Sequence, residues 1–478
     1  MKDVINWLTT DFSNFLWSYV LIIMLIGIGL YFTLRTKFVQ FRMFGEMFRL
    51  LGEGAASSSE KKGVSSFQAF CISTASRVGT GNLAGVALAI TVGGPGSVFW
   101  MWLIALIGSA TAFVEATLAQ IYKVRDKDTN IFRGGPAYYM EKALKARWMG
   151  VLFAIIITIT FGLAFNSVQA NTITSAFNNA FGFDPVWTGL IITAVTAVII
   201  FGGIKRIAKF AEWVVPPMAG MYILIAIYIV AKNFGELPTV FSLIFSNAFG
   251  LNEAVGGGFG AAMMYGIKRG LFSNEAGMGS APNAAATADV SHPVKQGLIQ
   301  ALGVFVDTLV ICSCTAFIIL LSGVYKSSES DGIILTQSAL SSEMGSWATI
   351  FVAIIILLFA FSSIVGNYYY GESNIEFISK NKTWLVIYRI AVIGMVMFGS
   401  LAQLATVWSL ADVFMGIMAI INLIAIVLLG KIAFAALGDY MKQKKAGRNP
   451  VFHVSNIPGL KNVECWGADE KQSLKKDA

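Results

Sequence analysis

The chain has 478 residues, 56% of them hydrophobic and only 13% charged, with 35 Lys and Arg against 27 Asp and Glu for a formal charge of +8. A soluble domain carries about 25% charged residues, and a globular surface has too little polar cover to hide this much apolar side chain. A soluble enzyme, a nucleic-acid-binding module and a disordered chain are excluded. What remains is an all-α polytopic membrane protein, because the apolar runs are about 20 residues long rather than alternating ten-residue strands.

Eleven runs are long enough to span a bilayer: 14–34, 65–92, 97–122, 149–176, 186–203, 211–231, 256–288, 295–322, 347–371, 383–402 and 408–431. The first follows a start without a basic n-region and shows no small-residue cleavage site, so it reads as a retained helix rather than a signal peptide. The stretches 38–51 and 238–249 are short and amphipathic and suit the membrane interface. Odd numbering puts the termini on opposite sides. With the N-terminus outside, the cytoplasmic segments hold 28 Lys and Arg against 3 outside, with four more inside spans. That asymmetry predicts a cytoplasmic C-terminus and accounts for the positive charge without nucleic acid. The four cysteines and two histidines have no metal or redox spacing.

Two spans carry polar residues and glycines at membrane depth. In the second, Ser73-Thr74-Ala75-Ser76-Arg77-Val78-Gly79-Thr80-Gly81-Asn82 lies at the centre. In the seventh, Gly266-Ile267-Lys268-Arg269-Gly270-Leu271-Phe272-Ser273-Asn274-Glu275 does. A charge there costs at least ~3 kcal/mol on insertion scales, and freed backbone must be satisfied by protein or water. Runs 2–6 and 7–11 form two sets of five, each opening with such a span. An odd number of helices per repeat inverts the second copy. Paired interrupted helices in inverted halves point to a secondary transporter's binding site. Unwinding at Gly79-Thr80-Gly81 would expose N–H groups and the positive dipole end of the following half-helix, a cradle for a carboxylate. Free carbonyls before the break suit an ammonium or a dehydrated Na⁺. A zwitterionic amino acid with a sodium ion fits this pair. The competing reading of a lone GxG, close helix packing, is weakened by the mirrored partner.

The domains expected on this basis are an extra N-terminal helix (1–34), a cytoplasmic interfacial segment (35–64), a first five-helix repeat (65–231) and an extracellular connector (232–255). A second, inverted repeat (256–431) and a cytoplasmic tail (432–478) follow.

Four stretches, ASRVGTGNLAGVA (Ala75 to Ala87), GGPGSVFWMWLIALIG (Gly93 to Gly108), FRGGPAYYM (Phe132 to Met140) and GLFSNEAGMGSAPNAAA (Gly270 to Ala286), resemble the alanine/glycine:cation symporter family. The likeness runs over nearly the whole chain. It is greatest to the branch associated with glutamine and alanine uptake in Gram-positive bacteria. The family belongs to the amino acid–polyamine–organocation superfamily. The resemblance implies a leucine-transporter-like 5+5 inverted repeat (helices 2–6 and 7–11) after one extra helix, and Na⁺-coupled uptake of glutamine, alanine or glycine. It implies substrate-carboxylate contacts at the backbone of Gly79, Thr80 and Gly81. It implies further substrate contacts from Gln169, with Asn166 on the same face, from Asn367, and from Gly266 and Gly270 on the seventh span. It also implies a Na⁺ site from the carbonyls of Ala75 and Val78 and the hydroxyls of Ser362 and Ser363.

Late in the ninth span many alanine or glycine carriers read GWSYYGE, whereas this chain reads Gly366-Asn367-Tyr368-Tyr369-Tyr370-Gly371-Glu372. An amide replaces an indole, so a pocket there gains room and polarity for glutamine. Arg77, Arg269 and Glu275 are expected to pair as an inner gate, with the roles of Glu115 and Asp307 open. H⁺ coupling is the alternative to Na⁺. A channel is a distant alternative, because Thr91-Val92-Gly93-Gly94 lacks the rest of a potassium filter. The motifs of nucleotide hydrolases, zinc proteases and serine hydrolases are missing, so no enzyme is expected. The expected partners are the amino acid and the lipid bilayer, with a monomer compatible.

Overall fold

The computed structural model describes residues 7–56, 64–126, 131–201, 204–250, 258–327 and 330–467. Parts of the expected interfacial segment (57–63), connector (251–257) and tail (468–478) lie outside the described residues. Among the described residues, eight helices are long and apolar enough to cross a membrane. They are α1 (Thr9–Arg35), α5 (Ser97–Ile121), α7 (Arg147–Phe181), the Ala211–Lys232 part of α9 (Ile204–Lys232), α13 (Pro293–Ser322), α15 (Trp347–Ile378), α16 (Lys382–Leu401) and α17 (Leu404–Lys445). The other three expected spans are shorter or broken. The second comprises α3 (Ser66–Arg77) and α4 (Gly81–Gly93). The fifth is α8 (Pro185–Ile200), and the seventh comprises α11 (Phe259–Asn274) and α12 (Ala281–Ala285).

Local sequence explains where the helices start. Ser65 and Gln68 close a capping box on α3, each backbone N–H bonding the other's side chain at 3.1 Å. Asp184 caps α8 by accepting from Val186 N at 2.8 Å, with Pro185 in the first turn. Gly182 takes a left-handed φ of 67° to end α7.

Two packed groups emerge. The broken helices α3–α4 and α11 lie against α5 and α13, whereas α7, α8, α15 and α16 pack on one another. Each group thus draws matching members from both halves of the chain, and α9 bridges them through α3, α13 and α15. The elements not expected to span are short: α2 (Phe44–Ala56), α6 (Pro136–Lys142), α10 (Leu237–Ala248) and α14 (Gly332–Met344). A two-stranded ribbon, β1 (Val124–Arg125) with β2 (Phe132–Arg133), interrupts the otherwise helical chain.

Two expectations need correcting, both on the seventh span, whereas the C-terminal end only gains detail. Helix α17 continues past the expected span to Lys445, and its end is held by Tyr440 and Lys444 reaching Glu46 of α2. The described part of the tail packs on the rest of the chain. Phe452 N bonds Ser291 O at 2.9 Å, and Trp466 Nε1 bonds the Gln120 carbonyl at 2.9 Å. The seventh span is an unbroken helix across Gly266–Asn274, and its break falls at 275–280, where Glu275, Gly277 and Gly279 have φ of 59°, 92° and 85°. Gly266 and Gly270 do not face a pocket but let α11 lie directly on α5. A Cβ at Gly266 would sit 2.6 Å from Trp100 Cβ, and one at Gly270 2.7 Å from Ile104 Cγ2.

Candidate functional site

The break in the second span covers Val78 and Gly79, with Val78 extended at φ −78°, ψ 93°. Gly79 and Gly81 are not at positive φ. They are glycines because of what touches them. A Cβ on Gly79 would strike Ser363 Oγ and lie 2.9 Å from Gln169 Oε1. A Cβ on Gly81 would sit 3.0 Å from Phe272 and 3.1 Å from the Ser273 Cα. The two broken helices, α7 and α15 therefore converge on this one turn.

Oxygens gather beneath it. Ser363 Oγ stands 2.9 Å from the Ala75 carbonyl, 3.4 Å from that of Val78 and 3.1 Å from that of Phe359. Ser362 Oγ is 2.8 Å from the Phe359 carbonyl and 3.4 Å from that of Ala75. Two hydroxyls have only two protons for three carbonyls. Hard, neutral, buried oxygens at this density suit a weakly solvated monovalent cation. The four residues expected to hold Na⁺ are brought together, while the Phe359 carbonyl, inside the unbroken α15, takes the back-bonds that serines make to the preceding turn of a helix.

Above the break, Thr80 N and Thr80 Oγ1 both donate to Gln169 Oε1, at 3.0 and 2.7 Å. Gly79 N donates to Asn82 Oδ1 at 2.9 Å. Asn82 Nδ2 then donates to Asp307 Oδ1 at 2.7 Å, and Ser273 Oγ and Thr308 Oγ1 donate to Asp307 Oδ2 at 2.8 Å each. One buried carboxylate of α13 thus ties together the second and seventh spans. Phe161, Phe165, Phe272 and Trp408 form a continuous row of rings with centroids 4.6, 4.4 and 4.6 Å apart. Arg269 lies over Trp408, 4.3 Å from its centroid.

Below the break, Ser76 Oγ is 2.7 Å from both Glu275 Oε1 and Asn367 Oδ1, and its single proton serves one at a time. Ser280 Oγ donates to Glu275 Oε2 at 2.6 Å. Asn367 Nδ2 donates to Asn166 Oδ1 at 3.1 Å, which links α15 to α7. Glu115 accepts from Gly277 N at 3.2 Å and from Asn422 Nδ2 at 2.9 Å. Both groups freed by the turn at Gly277 are satisfied from α5 and α17, because Asn422 Nδ2 also bonds the Gly277 carbonyl at 2.9 Å.

A family model described as the sodium:alanine symporter family matches residues 1–454 of the chain. The chain belongs to the sodium:alanine symporter family. It is 57% identical over 473 residues to a Bacillus subtilis protein named probable sodium/glutamine symporter GlnT, covering 99% of this chain and 98% of that one. It is 58% identical over 472 residues to the Bacillus subtilis amino-acid carrier protein AlsT, covering 99% and 100%. The crystal structure of MhsT in complex with L-phenylalanine superposes with a TM-score of 0.52 at 15% identity, over 81% of this chain and 90% of that one. At that identity the likeness speaks for the leucine-transporter-like fold alone.

In this symporter the expected pairing of Arg77 or Arg269 with Glu275 is not what the structure holds. Arg269 Nη2 lies 2.6 Å from Asp412 Oδ2, and Lys268 Nζ lies 3.4 Å from the same oxygen. Trp17 Nε1 donates to the Asp412 carbonyl at 3.1 Å, tying in the extra N-terminal helix. Arg77 is fully buried and forms no ion pair among the described residues; its Nη1 donates to the Gln300 carbonyl at 3.3 Å. The reason is placement: Glu275 sits at the turn and is filled by two serines, whereas Asp412 faces the unbroken half of α11. Asp412 was overlooked in the sequence, although an acid inside an apolar run is itself a signal.

Proposed function

We propose that this protein takes up a small neutral amino acid, glutamine or alanine with glycine a third candidate, in symport with Na⁺ by alternating access. In this reading it is a multi-pass protein of the bacterial cell membrane, with its N-terminus outside and its C-terminus in the cytoplasm. The first repeat is 65–231, the inverted one 256–431. The observation that carries the reading is the juxtaposition at one turn: four oxygens, the Ala75 and Val78 carbonyls and the Ser362 and Ser363 hydroxyls, gather next to the backbone and hydroxyl donors of Thr80. Na⁺ is a co-substrate here. Bound between the Ala75 and Val78 carbonyls and the Ser362 and Ser363 hydroxyls, it would join the broken helix to the second packed group.

The carboxylate of the amino acid would take the Thr80 and Gly81 N–H groups at the N-terminus of α4, where the helix dipole favours an anion. The row from Phe165 through Phe272 to Trp408 would close over it, held by the Arg269–Asp412 pair. The GlnT name supports glutamine as the cargo, and the family's description supports alanine. Asn367 supports glutamine over alanine in this reading, because an amide is smaller and more polar than the indole of many alanine or glycine carriers, and here it is buried and bonded to Ser76 and Asn166.

The test is uptake of labelled glutamine, alanine and glycine into proteoliposomes under an inward Na⁺ gradient, an inward H⁺ gradient, or neither. Accumulation only with Na⁺ is expected. Accumulation with H⁺ alone would replace Na⁺ with H⁺, and a current without amino acid would indicate a channel.

A further inference from the structure

The Thr80 donors that would receive cargo are already bound to the chain. Gln169 Oε1 is an uncharged sp² oxygen that accepts two hydrogen bonds from Thr80, at 3.0 and 2.7 Å, as a carboxylate oxygen would. Thr80 is fully buried and Gln169 is 2% exposed, so water does not serve these donors. A buried N–H without an acceptor is costly. Gly79 leaves the space: a Cβ there would crowd the same Gln169 oxygen at 2.9 Å. Gln169 projects from α7 on an unbranched arm, which can withdraw by rotating between staggered rotamers.

We propose that Gln169 is the chain's own ligand for the carboxylate cradle. Its carboxamide holds the Thr80 donors whenever cargo does not, so the carrier can shut and reorient unloaded, and only a ligand with an anionic head displaces it. This role presupposes the symport reading above and names the residue that sets which head groups the site accepts. A neutral amide or ester replaces the Gln169 carbonyl like for like and gains nothing. A carboxylate forms charge-assisted bonds roughly twice as strong. A net uptake cycle must return the carrier without cargo, and that step would otherwise shut two polar donors away unpaired. Exchange of inside for outside amino acid never requires that step, because the carrier is loaded in both directions.

The experiment compares wild type with Gln169→Met, which keeps the length and removes the acceptor, in proteoliposomes. The labelled substrate is whichever of glutamine and alanine the wild type takes up faster. Net Na⁺-driven uptake should fall about tenfold further than exchange against internal unlabelled substrate, that difference being the loss expected when buried donors lose their acceptor. The carboxamide analogue of the substrate, excluded by wild type, should compete about tenfold better against Gln169→Met. Net uptake and exchange falling in parallel, with the analogue still excluded, would overturn the proposal and leave Gln169 a simple binding contact. Should Gln169→Met not be recovered folded, Gln169→Leu also removes the acceptor while leaving both Thr80 donors in place, and it is read in the same assays with the same split expected. A wild type without Na⁺-driven uptake would instead refute the symport reading.

Discussion

Ser363→Ala tests the oxygen cluster most directly. The Ser363 hydroxyl is fully buried and stands 2.9, 3.1 and 3.4 Å from the carbonyls of Ala75, Phe359 and Val78. Removing it takes away one of the four oxygens that would hold the ion and, among the described residues, the only side-chain hydrogen-bond link from α15 to both Ala75 and Val78. A hydroxyl contact to a charged partner is worth about 1.5–3 kcal/mol, while the serine's own hydrogen bond without the ion is worth about 0.5–1.5 kcal/mol. The difference, on the order of 1.4 kcal/mol, is about a tenfold weaker Na⁺ interaction. The assay is uptake as a function of Na⁺, repeated at several amino-acid concentrations. Half-saturation by Na⁺ should rise about tenfold, while the KM for the amino acid at saturating Na⁺ should stay put, as linkage requires when only the ion site is damaged. Ser362→Ala is the internal comparison. Its hydroxyl bonds its own helix at Phe359, 2.8 Å away, and is 3.4 Å from the Ala75 carbonyl, so its shift should be smaller. An unchanged Na⁺ dependence in Ser363→Ala would refute the assignment, as would an equal rise in the amino-acid KM at saturating Na⁺.

Asn367→Trp should lose glutamine uptake and spare alanine, because an indole fills the space beside Ser76 and Asn166; unchanged glutamine uptake would disprove a selective role. Asp412→Ala leaves Lys268 and Arg269 buried without their carboxylate, with side chains 5% and 4% exposed. It should destabilise the protein by about 3–5 kcal/mol, read as a lowered Tm in detergent, and an unshifted Tm would show that the two cations need no partner. Burial pushes the Glu46 carboxyl up, but hydrogen bonds from Arg49, Lys444 and Tyr440 outweigh it and hold the pKa down to about 2 from 4.5. A depressed carboxylate stabilises the fold above 4.5 and loses that contribution as pH falls toward 2. Stability of wild type relative to Glu46→Gln should therefore decline through that window, and parallel curves would contradict it.

The positions of the eight long apolar helices and of the first break were legible because both are written locally. Apolar run length reports the bilayer, and a GxG flanked by hydroxyls and an Asn leaves little doubt that the helix is interrupted. The second break was misplaced because glycine serves two ends that look alike in sequence. Gly266 and Gly270 permit close approach to α5, whereas Gly277 and Gly279 permit left-handed backbone. Even at the first break the reason differed from the expectation, since Gly79 and Gly81 are there for crowding by Ser363 and Phe272 rather than for φ.

The chain's own order of residues determined that it must live in a bilayer, where its helices could lie and which short stretches could not be ordinary helix, since hydropathy and backbone chemistry act over a few turns. Which charges meet was decided only in three dimensions. Arg269 finds Asp412 and Thr80 finds Gln169 across 143 and 89 positions of chain. In a low-dielectric interior each buried polar group is settled by whatever partner the packing of distant helices brings within reach.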